Sequence, residues 1–305
     1  MIEKPVKIIL GVIAVLILSL FSTIVWNKAC AGDSEQVYYI SILVSDPNDS
    51  FRKGAEQAAQ EYNADIHFVS GYGGGEGQQI EYLQREINNG ADAIVVFNET
   101  GRSADLSSLG LSRSRCPYIA VRENAADADC YIGADNASIG RRLGELVAER
   151  APGQHCYLLY PAGQPNYINE RLSAIKAQLD EDGTEYTVRS CEPDGSDIAE
   201  VISGVDDCCL VALDEALLGE LCRTAQPGNA LFGVGYVSAV RTHLETGRIR
   251  ALVVFSEYDA GYLSVKSAIN ALDTGSNKDI ELELYTADAE TMYTDPISKI
   301  LFPVE

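Results

Sequence analysis

Residues 37–70 read VYYISILVSDPNDSFRKGAEQAAQEYNADIHFVS, and this stretch decides the fold. Val37–Val44 is a run of β-branched and aromatic residues without a charge, which is the composition of a buried strand. Ser45-Asp46-Pro47-Asn48-Asp49-Ser50 is a turn cluster whose side chains also serve as helix caps. Phe51, Ala55, Ala58, Ala59 and Tyr62 then recur at helical spacing, and Ile66–Val69 returns to strand. Strand, helix and strand in so short a span make a βαβ unit, whose two strands run parallel.

The same alternation continues outward. Gly71–Gly77 is a glycine-rich loop, and Gln78–Asn89 is a helix with Ile80, Leu83 and Ile87 on one face. Strands are expected at Asp92–Phe97, Pro117–Val121 and Cys130–Ala134, after which Asp135 or Asn136 caps a helix over 137–150. Further strands are expected at Cys156–Tyr160, Tyr186–Ser190, Cys208–Leu213, Ala230–Val234 and Ala251–Phe255, with a late one near Ile280–Tyr285. About a dozen strands exceed one sheet of ordinary width, so two parallel sheets covered on both faces are expected. Ligands of such sheets bind beyond the carboxyl ends of the strands, which singles out the loops after Val44, Val69, Phe97, Val121, Tyr160, Leu213, Val234 and Phe255.

Composition narrows the function. Hydrophobic residues make up 46% and charged residues 22% of 305 residues, as in a folded globular chain. The net charge of −22 opposes binding to phosphate backbones, so no nucleic-acid partner is expected. The chain has no nucleophile elbow, no phosphate-binding P-loop and no His-Glu-x-x-His pair, and the Gly71–Gly77 spacing is not that of a dinucleotide fingerprint. His67, His155 and His243 are far apart, and Cys208-Cys209 in a strand point to opposite faces, so neither metal nor cofactor is expected, and no enzymatic activity. Seven cysteines lie beyond residue 31, an odd number that defines no disulfide framework, although a Cys116–Cys130 bridge is one pairing left open.

The N-terminus indicates export. Ile8–Trp26 (IILGVIAVLILSLFSTIVW) is uncharged and long enough to cross a bilayer, with Lys4 and Lys7 on its cytoplasmic side. Ala29-Cys30-Ala31 offers a cleavage site, but the apolar run exceeds the ~7–15 residues of a signal peptide, which favours a retained anchor. Residues 1–31 are thus an anchor or signal segment, Gly32–Gln36 a polar linker, and the folded part lies outside the cytoplasm, attached to a bacterial cytoplasmic membrane or secreted.

Several motifs in order resemble one family. SILVSDPNDSFRKGAEQAAQEYNADIHFVS is similar to the opening of the type I periplasmic binding proteins, the family of the ribose and other sugar binders and of the ligand-sensing half of lac-repressor-type regulators. QQIEYLQREINNGADAIVVFNET, CPYIAV, IGADNASIGRRLGELV, NERLSAIKAQL and LETGRIRALVVFSEYDAGYLSVKSAINAL resemble its successive later units. The resemblance implies two doubly wound α/β lobes joined by a three-strand hinge and closing on a small solute. One lobe would comprise 37–135 plus 257–280, the other 136–256 plus 281–305.

The resemblance also implies a pocket. Phe51 matches a ring-stacking aromatic and is followed by Arg52, where a second aromatic is usual; as a helix-face residue it would instead belong to the core. The family's Asp-Arg pair stands reversed as Arg122-Glu123, which either reach the ligand or pair with each other. Arg171 falls on the binding arginine, Leu213 replaces an Asn and precedes a matching Asp214, Gly235 or Tyr236 replaces a pocket Asp, and Phe255 replaces a Gln. Asp49 and Asn98 are further polar contacts. The implied function is capture of a sugar-like solute for an ATP-driven (ABC) importer. The alternative is a tethered sensor that presents its ligand to a membrane receptor such as a histidine kinase.

Overall fold

Two six-stranded sheets organise the chain. The first contains β1 (Tyr39–Leu43), β2 (Asp65–Val69), β3 (Ala93–Phe97), β4 (Tyr118–Val121), β5 (Cys130–Gly133) and β11 (Ile280–Glu281), in the order β11-β5-β4-β3-β1-β2. The second contains β6 (Cys156–Pro161), β7 (Tyr186–Cys191), β8 (Cys209–Ala212), β9 (Ala230–Val234), β10 (Ile249–Val254) and β12 (Tyr285–Ala287), in the order β12-β10-β9-β8-β6-β7. Both are wound alike. All neighbours run parallel except β12, which is antiparallel to β10. The expected architecture, two doubly wound sheet lobes of the α/β class, is thus present.

The computed structural model describes residues 37–44, 49–70, 76–97, 116–125, 127–163, 166–235 and 237–302. The apolar Ile8–Trp26 segment, the Gly32–Gln36 linker, Gly71–Gly75, Asn98 and Tyr236 lie outside them. Among the described residues no helix is long and apolar enough to cross a membrane.

The helices are α1 (Asp49–Glu61), α2 (Glu76–Asn88), α3 (Asn136–Arg150), α4 (Asn166–Glu181), α5 (Ile198–Val201), α6 (Glu215–Thr224), α7 (Arg241–Glu245), α8 (Glu257–Thr274) and α9 (Ile297–Leu301). Asp135, Asp214 and Ser256 cap α3, α6 and α8, each accepting a main-chain N–H of the first turn at 2.9–3.1 Å. Each cap directly follows a strand or stands within two residues of its end, so these helices start where the strands finish.

Helix α1 buries Phe51, Gly54, Ala55, Ala58 and Ala59, a stripe of small residues that lets another helix come close. That helix is α8. A Cβ on Gly54 would lie 2.0 Å from the Tyr258 carbonyl oxygen, and one on Gly261 would lie 2.0 Å from that of Phe51. Helices α3 and α4 repeat the device in the second lobe, where a Cβ on Gly140 would lie 2.2 Å from the Arg171 carbonyl oxygen. In both lobes the crossing is backbone against backbone, and it seats Phe51 and Arg171.

The chain passes between the lobes three times, at residues 134–135, 255–256 and 282–284. The Leu282 N–H donates to the Gly133 carbonyl at 2.9 Å, tying the first passage to the third. This passage corrects the late strand expected over 280–285. Ile280–Glu281 pairs with β5 in one sheet and Tyr285–Ala287 with β10 in the other, because the chain between them changes sheets.

The cysteines are all unpaired and buried among the described residues. Cys116 donates to the Ala91 carbonyl and Cys130 to the Lys278 carbonyl, so the Cys116–Cys130 bridge does not form; each thiol is held by a different neighbouring backbone. Cys208 and Cys209 belong to the apolar clusters on opposite faces of the second sheet, as strand alternation requires.

Candidate binding cleft

The strand-end loops of the two lobes meet at Arg122, the first residue after β4. Its φ is +74°, a left-handed conformation that costs a non-glycine residue of order 1–3 kcal/mol. Two neighbours hold it there: its N–H donates to the Ile132 carbonyl at 2.9 Å, and the Tyr131 hydroxyl donates to its carbonyl at 3.2 Å. The twist sends the guanidinium to the other lobe, where Nη2 meets Glu215 Oε1 at 3.0 Å. Arg122 therefore does not pair with Glu123.

Glu215 opens α6 one residue after the cap Asp214. A Cβ on Gly235 would lie 2.2 Å from Glu215 Cγ, so the absence of a side chain there clears the path of this carboxylate. Burial pushes the Glu215 carboxyl upward in pKa, with Arg122 pulling the other way. For Arg122, burial pulls down, but the carboxylate of Glu215 foremost outweighs it and holds the guanidinium above its ordinary value.

Arg171 on α4 is 2% exposed. Its Nε donates to Asn136 Oδ1 and its Nη1 to the Leu213 carbonyl, both at 2.9 Å. Burial, and then Arg122, hold its pKa below the ordinary value. The Tyr167 ring lies 4.9 Å from the Arg171 guanidinium and 5.7 Å from that of Arg122, in cation–π range of both. Burial raises the Tyr167 hydroxyl to about 12, so it stays a neutral donor.

Two adjoining cavities share the wall formed by Arg122, Gly133, Ala134 and Asn136. The inner one, bounded also by Phe97, Arg171, Phe255 and Glu257, leaves only about 10 Å³. The outer one reaches about 740 Å³ between Glu123, Tyr131, Tyr167 and strand β11, within the ~300–1,000 Å³ typical of small-molecule sites.

The structure thus brings together Arg122, Glu123, Arg171 and Phe255 of the residues expected from sequence, with Asp214 beside them as the α6 cap. Phe51 is fully buried and stands edge-on behind Phe97 at 4.9 Å, supporting the wall rather than lining it. Arg52 stacks over Phe68 of the edge strand β2 at 4.4 Å and lines neither cavity, because the next position on a helix turns away from Phe51. Asp49 is exposed in the first turn of α1. Reading the sequence did not single out Phe97, Asn136, Tyr167, Glu215 or Glu257 as site residues. Their common signal is position, since each ends a strand or opens the helix that follows one.

Replacing Glu215 with Gln is expected to loosen the contact between the lobes. The pair is 16% and 21% exposed, short of full burial, so its loss is expected to cost about 1 kcal/mol of closure, roughly a fivefold shift toward open forms. Small-angle scattering checks this through a larger radius of gyration, and an unchanged radius would show that other contacts hold the lobes.

The comparisons agree with this architecture. No curated protein matches the chain. The sugar ABC transport system substrate-binding protein of Bordetella parapertussis superposes with a TM-score of 0.75 at 17% identity, over 88% of this chain and 94% of that one. A solute-binding protein of Burkholderia graminis in complex with D-arabinose gives 0.75 at 16% identity, over 86% and 98%. GanP, a glucose-galactose binding protein of Geobacillus stearothermophilus, gives 0.71 at 15% identity, over 84% and 99%. At such identities the likeness is one of fold. The family model described as periplasmic binding protein domain matches residues 38–277, most of the chain, and with two like-wound lobes meeting at their strand ends the protein belongs to that family.

Proposed function

We propose that the protein is an extracytoplasmic solute-binding protein, without enzymatic activity, that captures a small sugar-like ligand between its lobes for an ABC importer. The lobes would be 37–135 plus 257–280 and 136–256 plus 281–305, moving about the three passages. The observation that carries this reading is the Arg122–Glu215 contact across a cleft walled by aromatic and planar polar side chains. Rings such as Phe97 and Phe255 suit the apolar faces of a sugar, and Asn136 and the guanidinium groups suit its hydroxyls. With about 10 Å³ inside, entry requires the lobes to part, and a ligand then competes with the Arg122–Glu215 pair. Glu123 adds to the polar rim, with Asp214 beside it as the α6 cap, and Asn98 and Tyr236 follow β3 and β9 in the sequence. Asp49 opens α1, the helix that follows β1.

Arg122 is ion-paired with Glu215 and Arg171 holds two protein acceptors, while Arg122 Nε has no partner among the described residues and suits a ligand hydroxyl, which favours neutral hydroxylated ligands over sugar phosphates. The same self-contained pairing also supports a second reading, a sensor anchored through residues 8–26 that signals to a membrane receptor. Neighbouring permease and ATPase genes would favour import, and a kinase with a response regulator would favour sensing.

The direct test is a thermal-shift screen of the full-length chain against sugars, polyols, sugar phosphates, nucleosides and furanoses. A ligand at a hundred times its Kd adds about 2.7 kcal/mol of stability. A neutral sugar or polyol is expected to stabilise the protein, and Tyr167→Ala is expected to weaken it at least tenfold, since that ring stands between both guanidinium groups. A hit that Tyr167→Ala leaves untouched binds elsewhere, and a screen without hits removes the sugar reading.

A further inference from the structure

The outer cavity carries an imbalance of charge that the sugar reading does not use. Glu123, Asp135, Glu170, Asp279 and Glu281 line it, against the single cation Arg122. Arg122 is turned to Glu215, and among the described residues none of the five carboxylates takes part in a salt bridge. Asp135 and Asp279 have structural roles, accepting from the Ala137 and Tyr131 main-chain N–H groups. Glu123 differs from all of these. It is only 6% exposed, yet its Oε2 has no hydrogen-bond partner among the described residues.

A buried carboxylate oxygen without a donor is costly, by the full desolvation of that lone pair. Burial pushes the Glu123 carboxyl up in pKa; Asn166 opposes this by donating to it, and Glu170 adds to it. A neutral hydroxyl would supply a donor but leave the excess negative charge of the wall in place. A cation supplies both the donor and the charge, and in this half-enclosed space its attraction to several carboxylates is stronger than in water. The described residues contain no cluster suited to a metal ion, so an organic cation is the fitting class.

We propose that the cleft selects a sugar-like ligand bearing a primary amine, with the ammonium group seated against Glu123 and the hydroxylated ring toward Asn136 and Tyr167. This rests on the sugar-binding reading of the same cleft and adds the charge of the ligand. The outer cavity is the entrance as well, and its field concentrates cations there before the lobes close.

The experiment compares matched pairs by titration calorimetry on the full-length chain: glucosamine with glucose, galactosamine with galactose, mannosamine with mannose, and each N-acetylated amine. At least one amine is expected to bind tenfold or more tightly than its parent sugar, and N-acetylation, which removes the charge, is expected to abolish the gain. In Glu123→Gln, which keeps the shape of the side chain, the preference for the amine is expected to shrink to about twofold or less. The pairwise comparison in the unaltered protein stands whether or not the variant folds. Parent sugars binding as tightly as their amines would overturn the amine proposal and leave the sugar reading intact. Binding by neither group would sink both.

Discussion

Gly54→Ala is expected to destabilise the protein by about 3 kcal/mol, the upper part of the range for overpacking a closed interface. The added methyl carbon would sit 2.0 Å from the Tyr258 carbonyl oxygen, and that atom is main chain in the first turn of α8, so no side-chain rotation relieves the clash. Helices α1 and α8 must separate, and Phe51 and Phe97 lose their edge-on contact behind the cleft. The same substitution at Gly219 in α6 provides the contrast. There the new carbon would meet only Val237 Cγ2 at 3.5 Å, an ordinary contact, and alanine is the better helix former by about 1 kcal/mol. Gly219→Ala is therefore expected to be neutral or stabilising. Denaturant unfolding of both variants checks the pair of signs, and equal effects would mean that the α1–α8 crossing is not the tight point described here.

Arg171→Ala is expected to cost about 3 kcal/mol or more, because it removes a buried charge that holds two acceptors at once. Asn136 Oδ1 and the Leu213 carbonyl would both lose their charged donor, and a cavity would open beside Tyr167. Arg171→Lys is expected to recover only part of this, since an ammonium group cannot reproduce the planar fork that reaches both acceptors. Unfolding midpoints for the two variants give the comparison. A loss under about 1 kcal/mol in Arg171→Ala would show that water readily replaces the guanidinium. Because this arginine supports the fold, losing ligand binding on its removal says little about direct contact, which is why Tyr167 and Glu123 carry the binding tests.

The strands and helices were legible because their signals are local. Val37–Val44 announces a strand by composition, and Asp135 announces a helix start by its type and place, now seen in its bond to the Ala137 N–H. The late strand divides in two, and the sequence does not mark which sheet a β-rich stretch joins. Ile280–Tyr285 is one run by composition and two strands in space. The cysteines show the same limit: nothing in their spacing told that Cys116 and Cys130 would each find a separate carbonyl.

The candidate site divides along the same line. The family resemblance implied Arg122, Glu123, Arg171, Asp214 and Phe255 by their places in its ordered motifs. Their partners were not legible, because each partner comes from a distant part of the chain. Arg122 reaches Glu215, 93 positions away, and Arg171 reaches Leu213, 42 away. Arg122 and Glu123 are neighbours in sequence, and a left-handed turn at Arg122 sends its side chain to the opposite lobe.

By itself the sequence determined the α/β class and the two lobes, since periodicity and caps act within a few residues, and its ordered motifs carried the resemblance to the family. Only the tertiary structure decided that Arg122 bridges the lobes, that Phe51 supports the wall, and that Glu123 is buried with its Oε2 lacking a partner among the described residues. Those depend on which distant backbones approach one another, and glycine-to-carbonyl contacts such as Gly54 with Tyr258 fix that approach to a fraction of an ångström.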